Sequence, residues 1–401
     1  GISDSKRKAS RRGSCHGGGD KKAVEWLDAD LTERRARHLL RTLRPVGPAG
    51  SGRVWINGRE YINLSSNDYL GLAGHPGLLE ESVKAAEKYG TSSSASRLMS
   101  GDLHIHHLLE KRITDLVGKE KSLLFGSGYL ANTGCVSAIC SRKDVVFLDR
   151  LCHASIVDGV FLSGARFFRF QHNDPGHLEA LLKRERGKYN RALIITESLF
   201  SMDGDMAPLA EIVEAKERHD ALFMLDEAHA VGIFGERGAG LAEERGLSQE
   251  IDIIVGTFGK ALGSYGAYAA ASGKLIDYLI NSARSFIYST ALPPCVIGAS
   301  IAAIKMLTDE PFRRSVLAEK SAYFRSRLKT NGLDVRGEAQ IASVIVGAND
   351  TALRLADMLQ QNGIFALAIR PPTVPAGEAR IRFSVTCNHS TKDLAQAADV
   401  F

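Results

Sequence analysis

Six short, unbroken apolar runs constrain this chain more than any other feature. They are Ser122–Phe125, Val145–Leu148, Ala192–Thr196, Ala221–Asp226, Ile251–Thr257 and Gly266–Ser272. None alternates apolar with polar residues, as a strand with one wet face would. Continuous runs of this length belong to strands covered on both faces. Helical segments separate most of them, near Leu103–Val117, Leu130–Cys140, His177–Lys183, Pro208–His219 and Leu275–Arg284. That alternation predicts an α/β fold, with a mostly parallel sheet sandwiched between helices.

The flanking regions predict further parts. Residues 23–43 read as a helix with Val24, Leu27, Leu31, Leu39 and Leu40 on one side, ended by Pro45. Arg53–Ile56 and Tyr61–Leu64 flank an Asn57-Gly58 pair, the signature of a tight hairpin. A polar loop then leads to a helix from about Pro76. After Pro293-Pro294 a helix to about Thr308, another over Arg313–Asn331, strand Ile341–Val346, helix Leu353–Asn362 and strand Arg380–Thr386 predict a mixed α/β tail. The expected divisions are a basic tail (1–22), an N-terminal helix and hairpin (23–64), a large domain (65–292) and a smaller C-terminal domain (293–401).

Composition narrows the function classes. The net charge of +5 resides in residues 1–22, with seven Lys/Arg against two Asp/Glu; the remainder carries 44 of each sign. A balanced body argues against nucleic-acid binding. No apolar run approaches membrane-spanning length, so no membrane association is expected. The tail lacks the apolar core of a secretory signal and reads as disordered. The six cysteines (15, 135, 140, 152, 295, 387) show no paired spacing, which suits reduced thiols in a cytoplasmic protein and no metal site.

Polar residues cluster where the apolar runs end, and ligands of open α/β sheets bind beyond the carboxyl ends of strands. Lys260 is the lone lysine among the glycines of Val255-Gly-Thr-Phe-Gly-Lys-Ala-Leu-Gly-Ser-Tyr-Gly266. Poor solvation there favours the neutral amine, which adds to carbonyls, although a loop lysine reaching solvent fits the same segment. Asp226 ends its run and suits the ring nitrogen of pyridoxal phosphate (PLP), or equally a helix N-cap. His229, three residues on, is placed for the cofactor's phenolic oxygen, and His153 for its ring face and for proton transfer. Gly126-Ser-Gly-Tyr129 opens a helix with amides that cradle phosphate, or is an ordinary strand–helix turn. Ser201 and Thr257 supply hydroxyls for phosphate or ring oxygen. Each signal alone is weak; their order along successive strand ends carries the PLP reading.

Ser66-Asn-Asp-Tyr-Leu-Gly-Leu72, Glu197-Ser-Leu-Phe-Ser-Met-Asp-Gly-Asp205, Asp226-Glu-Ala-His229, Thr257-Phe-Gly-Lys260 and Ile287-Tyr-Ser-Thr290 together resemble the α-oxoamine synthase family, PLP enzymes of the aspartate-aminotransferase fold. The resemblance runs from about Asp30 to the C-terminus. It implies that Lys260 holds PLP covalently, Asp226 binds the pyridine nitrogen, and Ser201, His229 and Thr257 hold ring oxygen or phosphate. Gly128 and Tyr129 would form the phosphate turn, His153 would stack on the ring, and Thr290 would reach the phosphate of a partner subunit in a homodimer. Asn67, Arg370 and Thr373 would line the amino-acid and acyl pockets, and Arg41 would meet the acyl tail. Ala368-Ile-Arg-Pro-Pro-Thr-Val-Pro-Ala-Gly377 and His172-Asn-Asp174 are most similar to the family member that condenses L-alanine with a pimeloyl thioester, delivered as pimeloyl-CoA or on a carrier protein. Sister condensations using glycine or serine are the alternative. Gly90-Thr-Ser-Ser-Ser-Ala-Ser-Arg97 departs from the family by placing serines where many relatives have glycines.

Overall fold

A computed structural model describes residues 24–401, so the expected basic tail lies outside the described residues. The chain divides into two units, one ending at Leu43 and the other spanning Arg44–Phe401. In the first, the helix is Glu25–Ala36, shorter than the periodicity predicts. His38 adopts a left-handed backbone (φ 56°) and ends it well before Pro45, with Leu39 N bonding back to Arg34 O at 2.8 Å. Its apolar residues are exposed, and ion pairs Arg34–Asp30 (2.6 Å) and Arg37–Glu33 (3.0 Å) line its surface.

The second unit opens on β1 (Gly47–Gly50), β2 (Arg53–Ile56) and β3 (Arg59–Asn63). Asn57 (φ 49°) and Gly58 (φ 76°) make the turn between β2 and β3, as the Asn-Gly pair predicts. Next come β4 (Lys121–Phe125), β5 (Val145–Asp149), β6 (Arg166–Phe170), β7 (Ala192–Glu197), β8 (Leu222–Asp226), β9 (Ile253–Thr257) and β10 (Ala267–Ala271). These seven form one sheet in the order β4-β10-β9-β8-β7-β5-β6. Strands β9, β8, β7, β5 and β6 pair in parallel, while β10 runs antiparallel to both its neighbours. The cause is the connection after β9: Phe258 N bonds Gly266 O (3.0 Å), a reversal too short for a crossover helix.

Period-two alternation divides the strand side chains between two cores. Leu124, Phe147, Ile194, Phe223, Leu225, Ile254 and Tyr268 enter one, and Leu123, Val146, Leu148, Leu193, Ile195, Met224 and Val255 the other. Both faces are buried, which is why the runs carry no polar alternation. The predicted helices lie within a few residues of His104–Val117, Gly128–Ile139, Pro175–Glu185, Leu209–Arg218 and Gly273–Ser282. Helices Ala154–Ser163 and Thr391–Ala398 and strand β6 were not expected. The tail contributes β11 (Val335–Arg336), β12 (Ile341–Gly347), β13 (Ile364–Phe365), β14 (Leu367–Ile369) and β15 (Ala379–Ser384). A sheet ordered β11-β12-β15-β14 forms there, while β13 leaves it to pair with β3. Among the described residues no helix is long and apolar enough to cross a membrane.

Candidate active site

Parallel pairing brings the ends of β5, β7, β8 and β9 to one edge of the sheet, with Asp149, Glu197, Asp226 and Thr257, and β4, antiparallel to β10 as β9 is, ends at the same edge before Gly126. Asp226 is buried. Its Oδ1 accepts the Ala228 amide (2.9 Å), closing a turn rather than capping a helix, since no helix follows it. Its Oδ2 accepts Asn132 Nδ2 (2.8 Å), which also reaches Ser155 Oγ (3.0 Å). The carboxylate is thereby held in one orientation from both the β8 turn and helix Gly128–Ile139.

Lys260 meets His229 directly, Nζ to Nε2 at 2.7 Å. Burial disfavours the ammonium, and despite the charges of Asp226 and Glu197 the amine falls to about 8. Burial, then the cations Lys260 and Arg382, hold His229 well below the usual imidazole range, so its ring is neutral. With Nε2 accepting from Lys260, Nδ1 carries the proton and donates to Tyr69 Oη (2.8 Å); Tyr69 in turn donates to Asn67 Oδ1 (3.0 Å). Arg382 closes the network, donating to Tyr69 Oη (3.2 Å), Asn67 Oδ1 (3.3 Å), Ser384 Oγ (2.7 Å) and Ser201 O (2.5 Å). Gln340 fixes the histidine's backbone through its carbonyl (2.8 Å).

One glycine sets where this lysine loop sits. Gly263 has φ +61°, and a Cβ there would lie 2.4 Å from Ala73 N and 2.5 Å from Leu72 C. Only glycine allows that approach, which presses the Lys260 turn against the segment carrying Asn67 and Tyr69.

A cleft of about 580 Å³ opens beside these groups, lined by Cys152, His153, Ser201, Met202, Thr373 and Val374 among others. The backbone amide of His153 donates to buried Glu197 (2.6 Å), and its Nδ1 meets Ser155 Oγ (2.7 Å). Burial, then the neighbouring Asp226, pushes the Glu197 carboxyl up to about 8. Gly128 and Tyr129 start a helix capped by Ser127 Oγ, and the Tyr129 hydroxyl donates to Asp158. Thr257 Oγ1 donates to Gly266 O (2.9 Å) and accepts Gly259 N (3.2 Å). Arg370 accepts the Thr373 amide at its carbonyl (3.2 Å), and Thr290 is exposed. Arg41 belongs to the other unit.

Sequence reasoning passed over Asn132, Glu197, Tyr69, Gln340 and Arg382 as site residues. Glu197 and Tyr69 lie inside segments already singled out, and Asn132 follows the Gly126–Tyr129 turn. Nothing local marks Arg382, which arrives from β15. The donor set fits PLP. It offers a partly deprotonated amine, an oriented carboxylate, and the two amides that open helix Gly128–Ile139 and lack intrahelical acceptors.

Comparison with known proteins agrees with this reading. The aminotransferase class I and II family model matches residues 59–401. An 8-amino-7-oxononanoate synthase of Pelobacter propionicus is 47% identical over 375 residues, covering 92% of this chain and 95% of that one. A serine palmitoyltransferase from S. paucimobilis, solved with a bound PLP–myriocin aldimine, superposes with a TM-score of 0.89 at 28% identity, covering 94% and 96% of the two chains. The 8-amino-7-oxononanoate synthase of Francisella tularensis gives 0.74 at 29% identity, covering 85% and 96%. The chain belongs to the aminotransferase class I and II family, in its α-oxoamine synthase branch.

Proposed function

We propose that this chain is a PLP-dependent acyltransferase that condenses L-alanine with a pimeloyl thioester, releasing thiol and CO2, to give 8-amino-7-oxononanoate for biotin biosynthesis. The observation that carries the reading is the 2.7 Å contact between Lys260 and a neutral His229 beside Asp226. When bound, PLP supplies an electron sink that stabilises negative charge on the α-carbon of the amino acid.

The chain's own residues do the rest. Lys260 Nζ, at about 8, is part neutral near physiological pH, so it can bond the cofactor and later take and return a proton. His229 accepts a hydrogen bond from it without competing for the proton. Asn132 and the Ala228 amide aim Asp226 at the position its partner nitrogen would occupy. Gly128, Tyr129, Ser201 and Thr257 would hold phosphate and ring oxygen, and His153 would cover the ring. Thr290 would serve the partner's phosphate in a cytoplasmic homodimer. Asn67, Arg370, Thr373 and Arg41 would bind the two substrates, within a large domain over 65–292 and a smaller one over 293–401.

Mass analysis of products formed from L-alanine and pimeloyl-CoA tests the assignment, with glycine and L-serine run in parallel. The aminoketone from alanine is expected, and Lys260→Ala should form none. Turnover of glycine or serine but not alanine would reassign the substrate.

A further inference from the structure

We propose that His172, bridging Asp149 and Asp205, is a positioning residue that locks the loop carrying Ser201 to the strand end carrying His153. The inference builds on the reading of the cleft as the active site. His172 Nδ1 lies 3.0 Å from Asp149 Oδ1, and Nε2 lies 2.7 Å from Asp205 Oδ2. Carboxylates accept, so both ring nitrogens donate and the ring is an imidazolium. Burial opposes that charge, but the hydrogen bonds and charges of the two aspartates outweigh it and hold the ring up at about 10. Asn173 doubles the clasp: its amide donates to Asp149 Oδ2 (2.9 Å) and its Nδ2 to Asp205 Oδ2 (3.0 Å). It does so from a left-handed backbone (φ 51°), a conformation asparagine tolerates.

Each aspartate is tied to a different wall of the cleft. Asp149 ends β5 and is fully buried; it accepts Leu151 N (2.8 Å), and its carbonyl accepts Cys152 N (3.1 Å), one residue before His153. Asp205 closes a small hairpin through Phe200 N (3.0 Å), and the Phe200 ring meets the His172 ring edge-on at 4.4 Å. That hairpin is held elsewhere by the tail sheet, Ser343 Oγ to Met202 O (2.5 Å) and Arg380 to Asp203 (2.7 Å). Contacts to β12 and β15 therefore fix residues 201–203. Among the described residues, the His172–Asn173 clasp is what ties the hairpin's far end to β5. Without it, the spacing between Ser201 and His153 rests on the His153 amide bond to Glu197 (2.6 Å) at the start of the hairpin and on the Arg382 bond to Ser201 O (2.5 Å).

The test uses full-length, cofactor-loaded protein and nitrogen-15 imidazole spectra, with His153 assigned from a His153→Asn variant. His172→Gln cannot donate to both carboxylates as a cation. It should move or broaden the His153 resonances and lower kcat by about 10- to 100-fold, the range a misplacement near 1 Å produces. KM for L-alanine should stay within about threefold. Arg191→Gln, which breaks the Arg191–Asp144 pair at the opposite end of β5, is the stability control and should leave kcat and His153 unchanged. Should His172→Gln not fold, Asp205→Asn removes one half of the bridge and is read the same way. Unmoved His153 resonances with kcat within twofold, or equal losses in the control, would overturn the proposal. Wild-type protein that forms no aminoketone would refute the functional reading alone, because the resonance comparison needs no thioester.

Discussion

Removing the hydroxyl of Tyr69 isolates how firmly the site is wired into the fold. Tyr69 is fully buried and its Oη meets His229 Nδ1 (2.8 Å), Asn67 Oδ1 (3.0 Å) and Arg382 Nη2 (3.2 Å). In Tyr69→Phe, Arg382 keeps Ser201, Ser384 and Asn67, and Asn67 keeps Arg382. His229 Nδ1–H keeps nothing. One stranded buried donor costs about 1–3 kcal/mol, so a loss near 2 kcal/mol is expected, about 30-fold in the folding equilibrium. Tyr268→Phe is the matched edit. That tyrosine is equally buried, but among the described residues its hydroxyl has no hydrogen-bond partner. Its removal should be neutral or stabilise by up to about 1 kcal/mol, because no bond is lost with the hydroxyl. Urea unfolding of cofactor-free protein measures both as shifts of midpoint at constant slope. Two variants that move together, or a silent Tyr69→Phe, would refute the hydrogen-bond chain from Lys260 to Asn67.

Three more outcomes follow from the same coordinates. In cofactor-free protein the Lys260 ammonium is disfavoured by burial, its amine falling from 10.5 to about 8. Stability should therefore rise with pH across that window, and Lys260→Met should lack the rise in urea midpoints. His389, taken from 6.5 to about 4 by burial, contributes stability that is complete above its ordinary value and lost as pH falls towards 4; His389→Asn should flatten that acid limb. Gly263→Ala drives a Cβ to within 2.5 Å of backbone atoms and should cost more than about 3 kcal/mol in thermal or urea unfolding. Gly58→Ala, with nothing within 4 Å, should cost only the left-handed strain of about 1–2 kcal/mol.

The parts legible in sequence were those whose physics is local. Strands buried on both faces announce themselves as unbroken apolar runs. Asp226, His229, Thr257 and Lys260 stand at the ends of two such runs, so their convergence follows from parallel pairing. Strand β6 escaped because Arg-Phe-Phe-Arg-Phe is an edge strand whose two arginines, Arg166 and Arg169, are exposed and interrupt the apolar run. The periodicity predicts too long an N-terminal helix because Leu39 and Leu40 continue its pattern, whereas the left-handed turn at His38 carries no sequence mark. Arg382 and Tyr69 meet in one network and Asn132 meets Asp226, each from a distant part of the chain, and no spacing along the chain records those meetings. Asn67, by contrast, came from its motif, which the network explains: its amide oxygen accepts from both Tyr69 and Arg382.

Pairing of β13 with β3 has a consequence for how the protein comes into being. Ile62 and Asn63 find their ladder partners in Ile364 and Phe365, Leu64 O accepts the Ser384 amide (2.8 Å), and Tyr69 O accepts the Cys387 amide (2.9 Å). A ribosome makes the early segment first and these supports last, so Asn67 and Tyr69 lack their C-terminal partners while the large sheet is already assembling. Catalytic competence is expected only once synthesis has passed Cys387. Prematurely terminated chains should be inert, which makes the late strands a check that translation has reached them.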